Sequence, residues 1–310
     1  MFGPNAAISH GSGGIGGFGK CKTACRGSAR ARVRIASSLG RAGARMIANV
    51  LSIAGSDPSG GAGVAADLKT FGALGCYGMA VITAVTAQNT CGVTAIHAIP
   101  LTMIEAQLAA VFEDVRVDAI KIGMLPSAEV VRTVVQCLNR YPKAPVVLDP
   151  VMCSSVGVPL LPGAALATLR ESLLPEVHLL TPNLLEAAAL LATTPARNER
   201  EMEEQAIGLL AMGPRWVLLK GGHLGGESSP DVLAGHEGTT WLRGKRVVTQ
   251  NDHGTGCTLS AAVAALLPRT EMTKAASQAK MYLERALLGS GALSVGRGRG
   301  PLQHFWMPAF

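Results

Sequence analysis

Aromatic side chains make up only 4% of this 310-residue chain, and charged ones 16%. A groove for single-stranded nucleic acid needs aromatics interleaved with basic residues. No such stripe occurs after residue 46, so the sequence predicts no nucleic-acid partner. Long apolar runs are missing too. The longest stretches, Ala261–Pro268 and Leu184–Ala192, fall far short of the roughly 20 residues a membrane-spanning helix needs. A soluble protein with no membrane partner is expected. The seven cysteines, at 21, 25, 76, 91, 137, 153 and 257, include no CxxC pair. A disulfide framework calls for an even, clustered set, and a structural zinc site calls for closely paired ligands. Free thiols in a reducing, cytoplasmic setting are the expectation.

Acid is the other local absence. Residues 1–45 hold eight of the 28 lysines and arginines and none of the 21 acids, so the rest of the chain balances 20 bases against 21 acids and the overall +7 comes from the arm. That arm is low in complexity, with ten glycines and no apolar period that could fold alone. It reads as a disordered basic extension or as a stretch preceding a natural start at Met46. A targeting peptide is disfavoured because so much glycine makes a poor amphipathic helix. Within the arm, Gly14–Lys20 imitates the front of a P-loop, but Cys21 stands where the Mg²⁺-binding Ser or Thr belongs and no credible strand precedes it.

From residue 47 onward short apolar runs alternate with longer helical patterns. Strands are predicted at 49–54, 80–85, 119–122, 146–148, 178–180 and 216–219. Helices are predicted near 63–74, 103–115, 128–139, 164–173, 184–191 and 199–212. Strands apolar on both faces and separated by helices indicate a parallel sheet covered on both sides. After Lys220 the pattern changes to two short strands, near 239–242 and 246–249, and then helices from about Gly254 and Lys274.

Ligands of such sheets sit beyond the carboxyl ends of the strands, and those ends are polar here. The first opens into Gly55-Ser56-Asp57-Pro58-Ser59-Gly60-Gly61-Ala62-Gly63, with Asp67 one turn into the next helix. The glycines allow close backbone approach, and a helix N-terminus favours anions. Gln88 follows the second strand and offers both a donor and an acceptor, as the edge of an aminopyrimidine requires. Asp149 follows the fourth strand, and Asn183 and Glu186 follow the fifth, three residues apart on one helical face. Two carboxylates at neighbouring strand ends suit a hydrated Mg²⁺ bridging nucleotide phosphates, although taken alone each is more often a cap or ion-pair residue. Finally Asn251-Asp252-His253-Gly254-Thr255-Gly256-Cys257-Thr258 precedes a run of small residues. Successive amides at Gly254, Thr255 and Gly256 would open onto a helix N-terminus, an arrangement suited to charge developing on a phosphoryl group. Cys257 at the helix start is expected to have a lowered thiol pKa and to serve as proton acceptor or anchor for a substrate hydroxyl. A buried small cysteine at a tight turn is the competing reading.

In order, AGSDPSGGAG (54–63), DLKTFGALG (67–75), TAQNT (86–90), KIGML (121–125), LDPVM (148–152), TPNLLEAAALL (181–191), LLKGGH (218–223) and NDHGTGCTLSAA (251–262) resemble the hydroxymethylpyrimidine/phosphomethylpyrimidine kinases of thiamine biosynthesis, within the ribokinase superfamily. The resemblance runs from Met46 to GPLQHF (300–305). It implies a kinase domain over 46–310 with a ribokinase-like three-layer α/β/α sandwich around a central, mostly parallel sheet. It implies two ATP-dependent phosphorylations, of 4-amino-5-hydroxymethyl-2-methylpyrimidine and of its monophosphate, with ATP and Mg²⁺ as cofactors. By position Gln88 resembles the pyrimidine reader, with Gly55, Asp67 and Met124 in the same pocket. Gly254, Thr255 and Gly256 resemble the anion hole, and Cys257 stands where related sugar kinases carry a catalytic Asp. Asp149 and Glu186, with Asn183, resemble the Mg²⁺–phosphate organisers, and Lys220 is expected near the nucleotide phosphates. Superfamily members often dimerise, so a homodimer belongs to the same expectation.

Two departures stand out. Asp252 replaces the usual Thr and adds negative charge beside the anion hole, and Ser155 occupies the usual place of a Lys. The second bears on the efficiency of the second phosphorylation. Rival readings are a pyridoxine or pyridoxal kinase and a non-catalytic pyrimidine-binding regulator. The intact GTGC and both acidic strand ends favour catalysis over the latter.

Overall fold

The computed structural model describes residues 46–153, 157 and 160–306. The basic arm, its P-loop-like segment and Ser155 lie outside them. Among the described residues the main sheet has eight strands. In spatial order they are β10 (Gly238–Leu242), β9 (Asp231–Gly235), β8 (Trp216–Lys220), β7 (Leu179–Leu180), β6 (Val146–Leu148), β5 (Ala119–Ile122), β1 (Asn49–Ala54) and β2 (Tyr77–Ile82). Strands β2, β1, β5, β6, β7 and β8 run parallel, and β9 reverses between β8 and β10. A separate hairpin pairs β3 (Ala84–Asn89) with β4 (Gly92–Ala98).

Alternation along each strand divides the core into two layers. Leu51, Ile53, Ile120, Ile122 and Leu148 face one side. There they meet α2 (Leu101–Phe112), α3 (Ala128–Arg140), α4 (Gly163–Thr168), α5 (Leu184–Leu191) and α6 (Glu199–Leu210) through Ile104, Val130, Leu166, Leu184 and Met202. Val50, Ala119, Val147, Leu179 and Leu218 face the other. That layer contains α1 (Gly63–Ala73), α7 (Thr255–Leu266) and α8 (Met272–Leu288), represented by Phe71, Ala261 and Ala279. All residues of α7 from Thr258 to Ala265 are buried, which is why its sequence shows no polar face. Helix starts are fixed locally as well: Ser127 accepts from Val130 N–H and Asn198 from Glu201 N–H. Such caps contribute about 1 kcal/mol each.

The mostly parallel three-layer sandwich therefore agrees with the sequence reading, with two corrections. No strand forms at 246–249; the strand that pairs with β10 is 231–235. Arg246 instead donates to the carbonyls of Gly222, Leu224, Gly226 and Ser228, and Val248 is left exposed. The predicted strand at 80–85 is divided between β2 and β3, because the chain leaves the main sheet after Ile82 to build the hairpin.

His304 is buried against this core, its Nε2 3.0 Å from Thr258 Oγ1. Burial, with the charge of Lys69 adding, pushes its pKa down to about 4. The native imidazole thus stays neutral where the unfolded one, near 6.5, takes a proton. Unfolding binds a proton between those values, so stability is lost as pH falls from about 6.5 to 4, by roughly 3 kcal/mol in all. Denaturant midpoints measured across this window should fall with pH in wild type, and this component should vanish in His304→Gln.

Candidate functional site

Because β1, β5, β6, β7 and β8 run parallel, the residues after them emerge along one edge of the sheet. Strand β9 runs the other way, so its first residue, Asp231, lies opposite Lys220 at the same edge. A cavity of about 800 Å³ opens there. Gly55, Gln88, Met124, Asp149, Asn183, Glu186, Lys220, Gly254, Thr255, Gly256 and Cys257 line it, and the turn before α7 reaches residues of both kinds: His253 lies 3.3 Å from the Gln88 amide, and a Cβ on Gly256 would lie 3.2 Å from Asp149 Oδ2. Of the twelve site residues expected from sequence, eleven line this one cavity.

Close approach explains the glycines. Gly254 starts α7 with φ +88°, and a Cβ there would meet the Gly61 carbonyl oxygen at 1.9 Å. The loop before α7 is thus pressed onto the glycine loop after β1. A Cβ on Gly256 would lie 3.2 Å from Asp149 Oδ2 and 3.3 Å from Lys220 Nζ, so the start of α7 abuts that ion pair. Gly55 packs against Met124 Sδ in the same way. Of the three expected anion-hole amides, that of Thr255 reaches the Asp252 carbonyl at 3.3 Å, a long bond that is weak beside a charge-assisted one to a phosphoryl oxygen.

The acidic strand ends converge on a lysine. Lys220 Nζ donates to Asp149 Oδ1 at 2.9 Å and lies 4.0 Å from Glu186 Oε2. Asn183 and Glu186 also form a capping box: the Asn183 side chain accepts from Leu185 and Glu186 N–H, and Glu186 Oε2 accepts from Asn183 N–H. The cap reading and the site reading are therefore compatible, since the box holds Glu186 in place. Burial pushes the Glu186 carboxyl up to about 7, with Lys220 opposing and Asp149 adding. Burial opposes the charge of Lys220, but Asp149 and Glu186 hold its pKa above the ordinary value. The donor set fits Mg²⁺: it consists of two buried carboxylates at neighbouring strand ends. Two protein carboxylates would leave the other coordination positions to water and phosphate, as this ion prefers.

Three expectations change. Asp67 does not line the cavity; it lies fully buried beneath the floor, where its Oδ2 accepts from Ser52 Oγ at 2.6 Å and from Lys121 Nζ at 2.9 Å. Lys121, itself fully buried, is the member of that pair that lies against the cavity wall. Burial opposes its charge, but Asp67 holds it protonated, with Cys257 and Asp149 adding. The Cys257 thiol is not lowered. Burial pushes it up to about 11; Lys121 opposes this, and Asp67 and Asp149 reinforce it. The helix N-terminus loses here to desolvation and two nearby carboxylates. Asp252 does not leave an uncompensated charge by the anion hole, because Arg299 Nε donates to its Oδ1 at 2.8 Å.

Sequence reasoning did not single out Lys121, Arg246, or the pairing of Asp57 with His253, whose Nε2 lies 2.8 Å from Asp57 Oδ2. A lysine inside the otherwise apolar run AIKI was a readable signal for the first. The His253–Asp57 pair joins loops 196 residues apart, and nothing local announces it.

A model of the phosphomethylpyrimidine kinase family matches residues 57–303. The hydroxymethylpyrimidine/phosphomethylpyrimidine kinase of Escherichia coli strain K12 is 55% identical over 258 residues, covering 83% of this chain and 97% of that protein. Among solved structures, the phosphomethylpyrimidine kinase of Clostridium difficile 630 superposes with a TM-score of 0.70 at 41% identity, covering 77% of this chain and 99% of the other. The pyridoxal kinase of Bacillus subtilis in its ADP complex gives 0.77 at 34% identity, covering 84% and 98%. With the family match running from Asp57 within the first glycine loop through both acidic strand ends and the GTGC turn, the chain belongs to the phosphomethylpyrimidine kinase family.

Proposed function

We propose that this chain phosphorylates the hydroxymethyl oxygen of 4-amino-5-hydroxymethyl-2-methylpyrimidine from ATP, and then the resulting monophosphate, in thiamine biosynthesis. The observation that carries the reading is the placement of the Gly254–Gly256 turn, which adjoins Gln88 through His253 on one side and abuts the Asp149–Lys220 pair on the other. Acceptor and donor would then meet at the turn, in line. Phosphoryl transfer through a loose transition state asks mainly for positioning and charge stabilisation.

In this reading Gln88, Gly55 and Met124 receive the ring, while Asp67 acts from below through Lys121. Lys220 and Asn183 would face the nucleotide phosphates, and Asp149 and Glu186 would hold Mg²⁺. When bound, that ion supplies neutralising charge to the phosphates. The amides of Gly254, Thr255 and Gly256 hold the transferring group, and Cys257 accepts or anchors the substrate hydroxyl proton.

The likeness to a pyridoxal kinase supports a second acceptor, pyridoxal. Coupled ADP-release assays with the pyrimidine alcohol, its monophosphate and pyridoxal separate the readings. Efficient turnover of the first two is expected. Turnover of pyridoxal alone would replace the reading, and no turnover with any of them would leave a binding protein.

A further inference from the structure

Asp57 and His253 lie within the cavity wall, and both are almost wholly buried. Every bond to the Asp57 carboxylate comes from a donor. Its Oδ1 accepts from Ser59 N–H at 2.9 Å and Ser59 Oγ at 2.7 Å, and its Oδ2 accepts from Ala62 N–H at 2.8 Å and His253 Nε2 at 2.8 Å. An ionised carboxylate only accepts, so Nε2 of His253 carries a proton. The ring is packed closely on the Gly61 side and its main chain is anchored. A Cβ on Gly61 would meet its Cδ2 at 2.4 Å, and its backbone N–H is held by the Gly300 carbonyl at 3.0 Å.

The Gln88 amide touches this group. Its nitrogen is placed 3.3 Å from His253 Nε2 and its oxygen 3.4 Å from Thr86 Oγ1. Both contacts are mismatched: two donors face each other, and the Thr86 hydroxyl proton is already given to the Ser56 carbonyl at 2.9 Å. A half-turn of the amide, which moves no other group, repairs both. The oxygen then shares the Nε2 proton with Asp57, and the nitrogen donates to Thr86 Oγ1. The neighbours therefore favour one orientation.

We propose that His253, held as a donor by Asp57, is a positioning residue that fixes which way the Gln88 amide faces and so sets the donor–acceptor polarity of the ring the cavity accepts. The inference rests on Gln88 being the residue that meets the pyrimidine edge. It also gives the residue just before the anion hole a role in substrate choice.

The probe is a pair of rings. The 4-amino pyrimidine alcohol presents a donor beside an acceptor ring nitrogen. Its 4-oxo analogue presents an acceptor beside an N–H and keeps the hydroxymethyl group. A locked amide distinguishes the two; a freely turning one satisfies either. In wild type kcat/KM should favour the amino ring by at least about 100-fold. His253→Leu should reduce that ratio to roughly 10-fold or less, the scale set by one buried unsatisfied group. His253→Gln, which restores an N–H where Nε2 was, should retain most of it. Thr86→Val should lower the ratio less, and KM for ATP should stay within about 3-fold throughout. Because both rings are measured on one preparation, a smaller folded fraction cancels from the ratio. An unchanged ratio in His253→Leu, or equal losses in the Leu and Gln variants, would overturn the inference while leaving the proposed function standing. Wild-type turnover of neither ring would instead overturn the function and this inference with it.

Discussion

Cys257→Ala should lower kcat by about 10²- to 10³-fold, the range of a lost acid–base group, while KM for ATP changes no more than about 3-fold. Cys257 lies in the first turn of α7, beside the amides expected to hold the transferring group, so its removal touches the acceptor hydroxyl rather than the nucleotide. The height of the thiol pKa sharpens the expectation. With the thiol pushed up to about 11, only a small fraction is ionised at neutral pH, and that fraction grows about tenfold per pH unit. If the thiolate takes the hydroxyl proton, kcat should climb between pH 7 and 9 without a plateau, and Cys257→Ser should flatten the rise. A pH-independent kcat in wild type would assign the thiol to anchoring the hydroxyl instead. Single-turnover measurements over this range distinguish the two, provided that product release is not rate-limiting. An alanine variant with wild-type kcat would remove Cys257 from the mechanism altogether.

Lys121→Met should cost about 3–5 kcal/mol of stability, the usual consequence of leaving one half of a buried pair behind. Neither Lys121 nor Asp67 has any exposed side-chain surface, and their 2.9 Å bond joins β5 to α1 across the core. The register that sets Lys121 beside Ser52 turns it toward α1 and α7, the layer in which α7 contributes mainly small residues. Without the ammonium, Asp67 keeps only the Ser52 hydroxyl and must take up a proton to remain buried, since its Oδ1 already lacks a partner. For a domain of this size the loss corresponds to a drop in Tm of roughly 6–20 °C. The double variant Lys121→Met with Asp67→Leu should recover most of it, because a matched apolar replacement removes both desolvation penalties. Calorimetry of the three proteins gives the answer. A single variant as stable as wild type would mean that the pair contributes nothing net to folding.

Much of the fold was legible because its causes are local. Runs such as NVLSIA and VVL are apolar at successive positions, and a strand of that kind needs cover on both faces. Turn and cap residues then mark where each run ends. The failures came where neighbours decide. The segment at 246–249 has the composition of a strand, yet Arg246 is committed to four loop carbonyls. The place beside β10 went to 231–235, whose residues are all buried.

The candidate site divides along the same line. Which residues gather was readable from the sequence, since the parallel sheet delivers the residue after each strand to one edge, and Gly55, Gln88, Asp149, Asn183, Glu186, Lys220 and the GTGC turn are all found there. Their protonation and orientation were not readable. The thiol of Cys257 was expected low from its place at a helix N-terminus and stands high because it is buried beside carboxylates from α1 and β6. Asp67 was expected in the pocket and lies under it, bound to a lysine 54 residues away. Sequence order and residue type alone determined the sandwich and most of the membership of its active edge. Only the tertiary structure decided which charges are dehydrated and which donors face which acceptors, because desolvation and hydrogen-bond geometry depend on atoms brought together from distant parts of the chain.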